Sequence, residues 1–299
     1  MMENTRHTDF RDQILYPSIS NTEFQQMSLG IAFKGAEGIV LAADSRVTLT
    51  ATNDDPSSQE VLQGYYDNAV KLLKVNGQDF VGAVTYGAGA LGRQIPRTAH
   101  SYLPEFEALL SKGKRRRLPV EEFAVKLSDF FAQQWRDSRT PENHPPMDFL
   151  VGGFDRGEPY GRVFGFAIPN KTTPSEVHPG PDQFGMVWGG QRQFADRIVA
   201  GFDEQLLNVV QETLELTPEK KVELEKQLRE RLQAAIPFPF LPLQDSVDLS
   251  ILLIRTTIDI QNWIVGVRGV GGPIDVATIT RTDGFQPIQS KSISGDKLN

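Results

Sequence analysis

The sequence predicts an α+β fold in which antiparallel sheets are covered by helices. Short apolar runs of strand length are grouped along the chain, and these groups alternate with pairs of longer, helically periodic segments. Such grouping is typical of α+β folds, whereas regular strand–helix alternation is typical of parallel α/β folds. The 299-residue chain has 39% hydrophobic and 23% charged residues, which is ordinary for a globular protein with one large domain or two smaller ones.

The first ordered elements are predicted after residue 27. Two apolar runs, Leu29–Lys34 and 38–43, flank Gly35-Ala36-Glu37 and predict a β-hairpin. The polar segment 48–67 has the composition of a long loop.

Further hairpin and helix signals follow the polar segment. Asn76-Gly77 is a strong turn signal, so runs 70–75 and 80–85 predict a second hairpin. The remaining strands are predicted at 149–154, Arg162–Ile168, 185–188, 249–254, 262–267 and 274–280. Helices are predicted at 92–111, 120–135, 194–214 and 218–235, the last with Thr217 as its N-cap.

The composition excludes several classes of site. The sequence contains no cysteine, which excludes disulfides, thiolate zinc sites, iron–sulfur clusters and a cysteine nucleophile. Its four histidines are scattered without the i, i+4 spacing of a helical metal pair, and no glycine-rich nucleotide-binding motif follows a strand. We therefore expect no metal and no other cofactor.

The charge and hydropathy patterns bear on partners and location. The formal net charge of −7 argues against nucleic-acid binding, because neutralising phosphates requires clustered lysine and arginine. No apolar run reaches the roughly 20 residues of a membrane helix, and residues 1–10 lack the apolar stretch of a signal peptide. We therefore expect a cytoplasmic protein that binds neither nucleic acid nor membrane.

Without cysteine or clustered histidines, the remaining nucleophiles are hydroxyl groups. An isolated serine or threonine is a weak nucleophile unless a base accepts its proton. A serine or threonine at the first position of a mature chain carries such a base, because its own α-amine has a pKa of about 7.7–8.0.

The segment that begins at Ser28 resembles the opening of proteasome β-type subunits. Ser28 is followed by the first predicted strand, a turn at Gly38 and the motif Ala-Ala-Asp44-Ser45-Arg46. In that family the mature chain begins with the nucleophile and then reaches the same motif through a strand and a turn. The resemblance implies that Ser28 is the nucleophile, although the family usually has threonine there and glycine in place of Met27.

The resemblance extends over about residues 27–268 and implies roles for further residues. Lys71 lies in the strand that carries the family's catalytic lysine, where Asp44 would hold it in place and keep it charged. Tyr86 and Gly87 stand at the turn whose backbone N–H groups form the family's oxyanion hole. Asp245 stands where the family has an aspartate that supports the nucleophile, so we expect it to orient Ser28.

The resemblance implies a four-layer αββα sandwich of the N-terminal nucleophile hydrolase type. Residues 28–282 would form this domain, with an N-terminal arm or leader at 1–27 and a C-terminal tail at 283–299. The implied activity is cleavage of peptide or amide bonds by Ser28 within a self-assembled ring. A peptide is the implied substrate, and an unfoldase ATPase is a candidate partner.

Two alternatives on the same fold remain open. A non-catalytic structural or gating ring subunit would keep its arm and have no free α-amine at Ser28. A non-proteolytic amidase would act on a small molecule. In an active protein, Ser28 would be exposed either by leader removal or by loss of Met27 as an initiator methionine.

Overall fold

Antiparallel strands and helices make up the described part of the chain. The computed structural model describes residues 27–52, 61–92, 95–112 and 116–291. Of the predicted leader at 1–27, only Met27 lies within the described residues. The strand pairings within these ranges are antiparallel, and the predicted α+β class is confirmed.

Twelve strands and six α-helices lie within the described ranges. The strands are β1 (Leu29–Lys34), β2 (Ile39–Ala43), β3 (Val47–Thr52), β4 (Val61–Tyr66), β5 (Leu72–Lys74), β6 (Val81–Gly87), β7 (Met147–Gly153), β8 (Arg162–Ile168), β9 (Lys171–Val177), β10 (Gly185–Gly190), β11 (Asp275–Thr280) and β12 (Gly284–Gln289). The helices are α1 (Leu103–Ser111), α2 (Val120–Asp137), α3 (Gln193–Val199), α4 (Glu204–Thr213), α5 (Pro218–Leu232) and α6 (Leu243–Trp263).

The first sheet has five strands in the order β10-β1-β2-β11-β12. β1 and β2 form the predicted hairpin, and every residue of both strands is buried. Such complete burial requires that both faces of the sheet are covered, which explains why these runs are apolar at nearly every position instead of alternating.

The second sheet has five strands in the order β5-β6-β7-β8-β9. The predicted turn at Asn76-Gly77 joins β5 to β6, and Gly77 has a φ of +80°, which glycine adopts without steric cost. This hairpin positions residue 71, which directly precedes β5, and residues 86 and 87, which end β6.

The two five-stranded sheets pack face to face through an apolar cluster. The cluster includes Ala32, Ile39 and Leu41 of the first sheet and Leu72, Val84 and Leu150 of the second. At Gly152 a Cβ would lie 2.7 Å from Ile39 Cγ2, so glycine at this position permits the close approach. This packing brings the end of β6 beside the start of β1, where the Gly87 N–H donates to the Met27 carbonyl and the Tyr86 ring contacts Gly30.

Helices cover the other face of each sheet. α2 packs on the second sheet through Phe123, Leu127 and Phe131, which share a cluster with residues of β7 and β8. α6 packs on the first sheet through Leu253 and Ile254, which share a cluster with residues of β1 and β2. Within the described ranges, the helices are too short or too polar to cross a membrane.

The predicted helical segments differ from the observed helices in their continuity. The segment 92–111 contains a 3-10 helix, Ala99–Tyr102, that leads into α1. The segment 194–214 is divided into α3 and α4 near Gly201, which has a φ of +82°. The predicted cap of α5 is confirmed, because the Thr217 hydroxyl accepts the Lys220 N–H.

The predicted strands at 249–254 and 262–267 are wrong. Residues 249–254 lie in the middle of α6, and 262–267 contains the end of α6 and the loop that follows. A six-residue apolar run fits a buried strand and a buried helix equally well. The helical period becomes visible only over a longer window, in the buried positions 246, 247, 250, 253, 254, 257 and 261.

Several observed strands fall where the sequence predicts none. β3 and β4 pair with each other and account for much of the predicted loop 48–67. The polar residues 53–60, which stand between the two strands in the sequence, give the segment its loop composition. β9 forms a sheet edge, where partial exposure favours polar residues. β12 lies in the predicted C-terminal tail, 283–299. It pairs with β11 and therefore belongs to the first sheet.

Candidate active site

Ser28 is held in a strained backbone conformation directly before β1. Its φ is +78°, an uncommon value for a residue other than glycine, and its relative exposure is 1%. The Ser28 N–H donates to the Gly269 carbonyl at 2.9 Å, and the Ser28 carbonyl accepts the Gln191 N–H at 2.8 Å. A Cβ on Gly190 would lie 2.1 Å from the Ser28 carbonyl oxygen, so this contact requires glycine at position 190.

Lys71 joins Ser28 to Asp44 in a buried chain of side chains. Its Nζ lies 2.6 Å from Ser28 Oγ and 2.7 Å from Asp44 Oδ1. The two members of the ion pair are almost inaccessible, with side-chain exposures of 4% for Lys71 and 0% for Asp44. Burial lowers the pKa of Lys71, and the adjacent Asp44 carboxylate partly opposes this shift.

Asp44 is fixed by the backbone as well as by Lys71. Its Oδ1 accepts the Leu29 N–H at 3.0 Å, while its Oδ2 accepts the N–H groups of Arg46 at 3.1 Å and Gly271 at 3.0 Å. Hydrogen bonds to the ionised carboxylate offset the cost of its burial. Asp44 therefore serves as a rigid counter-charge that orients the Lys71 ammonium.

Gly87 contributes a backbone donor next to Ser28. Its N–H donates to the Met27 carbonyl oxygen at 3.0 Å, so it binds the carbonyl of the peptide bond that precedes Ser28. A Cβ on Gly87 would clash with the Pro146 carbonyl at 2.6 Å, and the φ of Gly87 is +76°. Only glycine presents its N–H in this way without backbone strain.

Tyr86 fills space between the sheets. It pairs with Asp148 in the β6–β7 ladder, and its ring lies where side chains on Gly30 and Gly189 would otherwise be. Burial raises the pKa of the Tyr86 phenol above its ordinary range. Its position indicates a packing role beside Gly87, rather than a second donor to the Met27 carbonyl.

Asp245 does not lie beside Ser28, so the predicted orienting role is wrong. It is exposed in the first turn of α6. That turn is anchored where the Leu243 N–H donates to Glu37, in the loop between β1 and β2. Because Ser28 precedes β1 and Glu37 follows it, the strand separates the two groups by six residues, about 20 Å.

Asp148 is a half-buried carboxylate at this site that the sequence analysis missed. Its Oδ2 lies 2.9 Å from the position that a Cβ on Gly87 would take. Burial raises the pKa of Asp148 to about 6. The signal that was available in the sequence was a charged residue inside an otherwise apolar strand.

Arg46 links the loop that follows α6, which contains Arg268 and Gly269, to the connection between β4 and β5. Its Nε and Nη2 donate to the Asp67 carboxylate at 2.5 and 2.8 Å, and its Nη1 donates to the Arg268 carbonyl at 3.1 Å. The planar guanidinium suits this bidentate contact. The loop that contains Arg268 also presents the Gly269 carbonyl to the Ser28 N–H. The Ser28 hydroxyl donates to the Arg46 carbonyl at 3.4 Å, so Arg46 both contacts Ser28 and anchors the loop that holds it.

Comparison of this chain with protein-family models and with curated protein sequences finds no match. In chemical terms, a buried hydroxyl, an amine with a lowered pKa, a fixed carboxylate and a carbonyl-binding N–H group are the components of an acyl-transfer site.

Proposed function

We propose that this protein is an N-terminal nucleophile hydrolase, similar to proteasome β-type subunits, that cleaves peptide or amide bonds with Ser28. The proposed fold is the four-layer αββα sandwich of that class, and the packing of two antiparallel sheets between α2 and α6 supports it. The observation that carries the proposal is the buried Ser28–Lys71–Asp44 chain beside a carbonyl bound by Gly87.

The first reaction in this proposal is release of Ser28 from the preceding arm. Burial lowers the pKa of Lys71, so its ammonium can release a proton and supply the neutral amine as a base. Ser28 Oγ attacks the Met27 carbonyl carbon and gives its proton to this amine, while the carbonyl oxygen takes up negative charge beside the Gly87 N–H. The C–N bond then breaks as its nitrogen takes the proton back from Lys71, which leaves an ester between Met27 and Ser28 Oγ. Water hydrolyses the ester and frees both the hydroxyl and the α-amine of Ser28.

Two features of the uncut chain favour this step. The positive φ of Ser28 stores backbone strain next to the bond that breaks. The Met27 carbonyl already accepts the Gly87 N–H, so the donor is in place before charge develops on the oxygen. Lys71 serves as the base at this stage because the nitrogen of Ser28 is still part of a peptide bond.

The same groups would act on an external substrate once Ser28 is free. The α-amine of Ser28, with an ordinary pKa of about 7.7–8.0, becomes a second base close to the hydroxyl. The substrate carbonyl would take the place of the Met27 carbonyl at Gly87, and an acyl ester on Ser28 would be hydrolysed by water. We extend the proposal to a peptide substrate, ring assembly and an unfoldase ATPase partner on the basis of the family resemblance.

Covalent labelling of Ser28 tests the proposed function. We expect a peptide β-lactone to acylate one hydroxyl per chain, and peptide mapping to locate the label on a fragment that begins at Ser28. The Ser28→Ala variant should remain unlabelled, whereas the matched Ser101→Ala variant, which lacks a surface serine on the 3-10 helix before α1, should be labelled like the wild type. A chain that stays joined at Met27–Ser28 and takes no label would instead support the non-catalytic ring subunit.

A further inference from the structure

A second buried cluster of a lysine, a carboxylate and a serine lies behind Asp44. Lys291 Nζ donates to Ser45 Oγ at 2.6 Å and forms an ion pair with Asp275 Oδ2. The Lys291 N–H donates to Asp275 Oδ1 at 3.1 Å. The side chains of Asp275 and Lys291 are only 4% and 12% exposed, so this ion pair is largely removed from solvent.

This cluster is joined to the active site through the backbone around Asp44. Asp275 is paired with Ala43 in the β2–β11 ladder, and Ser45 directly follows Asp44. The Ser45 N–H donates to the Gly271 carbonyl at 3.0 Å, while Asp44 Oδ2 accepts the Gly271 N–H. The Asp44-Ser45 segment therefore contacts two lysine–carboxylate pairs. Asp44 is itself the partner of Lys71, and Ser45 contacts the pair of Lys291 and Asp275.

We propose that Lys291 and Asp275 form a charge-balancing pair behind Asp44, which holds the Asp44-Ser45 turn in place and keeps Lys71 available as a base. Lys291 and Asp275 are positioning residues in this scheme, because neither touches the reacting atoms. The inference rests on the proposed function only for the role of Lys71 as a base. The electrostatic effect on Lys71 is independent of it.

The charges around Lys71 determine the direction in which each substitution should shift its pKa. The charged groups that act on Lys71 are Asp44, Asp275 and Lys291, with the Asp67 carboxylate, itself paired with Arg46, further out. Asp275 favours the protonated form of Lys71, and Lys291 disfavours it. Removing either partner leaves the charge of the other uncompensated. Because charges interact strongly in a buried environment, the remaining charge changes the pKa of Lys71.

The two single substitutions should therefore shift the pKa of Lys71 in opposite directions. Lys291→Met leaves the Asp275 charge unbalanced, and we expect the pKa of Lys71 to rise. Asp275→Asn leaves the Lys291 charge unbalanced, and we expect the pKa of Lys71 to fall. The double variant and the charge-conserving Lys291→Arg variant should both titrate close to the parent protein.

The titration is measured by NMR on the full chain with [ε-13C]lysine, in a Ser28→Ala background that can neither cleave nor acylate itself. A Lys71→Met chain assigns the Lys71 signal. Opposite shifts in the two single variants support the inference, and a merely loosened turn cannot produce them because loosening acts in one direction. An unchanged Lys71 titration in all folded variants would overturn it.

The rate of Ser28 labelling against pH gives a second readout in chains that retain Ser28. We expect its midpoint to move upward in Lys291→Met and downward in Asp275→Asn, in parallel with the NMR titration. Opposite NMR shifts without labelling at any pH would support the charge-balancing pair while contradicting the hydrolase proposal. If the labelling midpoints stay unchanged in variants whose Lys71 titration has shifted, the role assigned to Lys71 as the base is overturned.

Discussion

Replacement of Lys71 by methionine is expected to lower the rate of Ser28 acylation by roughly 1,000-fold. Methionine has a similar length but cannot accept the hydroxyl proton or pair with Asp44, which lies 2.7 Å from the lysine nitrogen. The buried Asp44 keeps its three backbone donors, so we expect the variant to fold with a loss of about 3 kcal/mol in the free energy of unfolding. The rate is measured by mass spectrometry of the β-lactone adduct.

Lys34→Met is the matched control for this prediction. Lys34 is also buried, at 1% exposure, but it lies at the opposite end of β1 and donates to the carbonyls of His178 and Gly180. Its loss should reduce stability without slowing Ser28 acylation in the folded protein. Equal acylation rates in the wild type and in folded Lys71→Met would contradict the role of Lys71.

Replacement of Asp44 by alanine is expected to have the largest effect on stability. It removes the acceptor of three backbone N–H groups and leaves Lys71 buried without a counter-charge. Breaking a buried ion pair at one partner costs about 3–5 kcal/mol, and we expect the free energy of unfolding to fall by at least that amount. Urea unfolding followed by circular dichroism measures the change.

Asp67→Ala provides the control for Asp44→Ala. Asp67 also pairs with a basic side chain, that of Arg46, but its own side chain is 41% exposed, so we expect a loss of only about 1 kcal/mol or less. Asp44→Asn should fall between the two, because the amide oxygen still accepts a backbone N–H but provides no charge for Lys71. A folded Asp44→Ala protein as stable as Asp67→Ala would show that the buried pair does not hold the site together.

The parts of the fold that could be predicted from the sequence are those with strong local signals. The hairpin of β5 and β6 follows from Asn76-Gly77, and α2 follows from an apolar face at helical spacing. α6 could not be recognised at 249–254, because a short apolar run lacks a distinguishable period. β3 has an alternating strand pattern, Val-Thr-Leu-Thr-Ala-Thr, but the polar residues 53–60 between β3 and β4 gave the whole segment 48–67 the composition of a loop.

The site could be predicted in part for a similar reason. Ser28, Asp44 and Lys71 follow from a family resemblance along the chain, and the structure brings these three side chains together. Asp245 was misplaced because its position on α6 depends on where that helix begins relative to the sheet. Lys291 lies 246 positions from Ser45, and only the pairing of β12 with β11 brings them into contact.

The state of the Met27–Ser28 bond tests the central claim most directly. Intact mass and N-terminal sequencing are compared for the full-length wild type and the Ser28→Ala variant, each purified and incubated near neutral pH. If Ser28 is a self-activating nucleophile, the wild type yields a chain that begins at Ser28, while the Ser28→Ala chain remains uncut after Met27. A wild-type chain that keeps this bond, or a Ser28→Ala chain cleaved at the same place, would contradict the account.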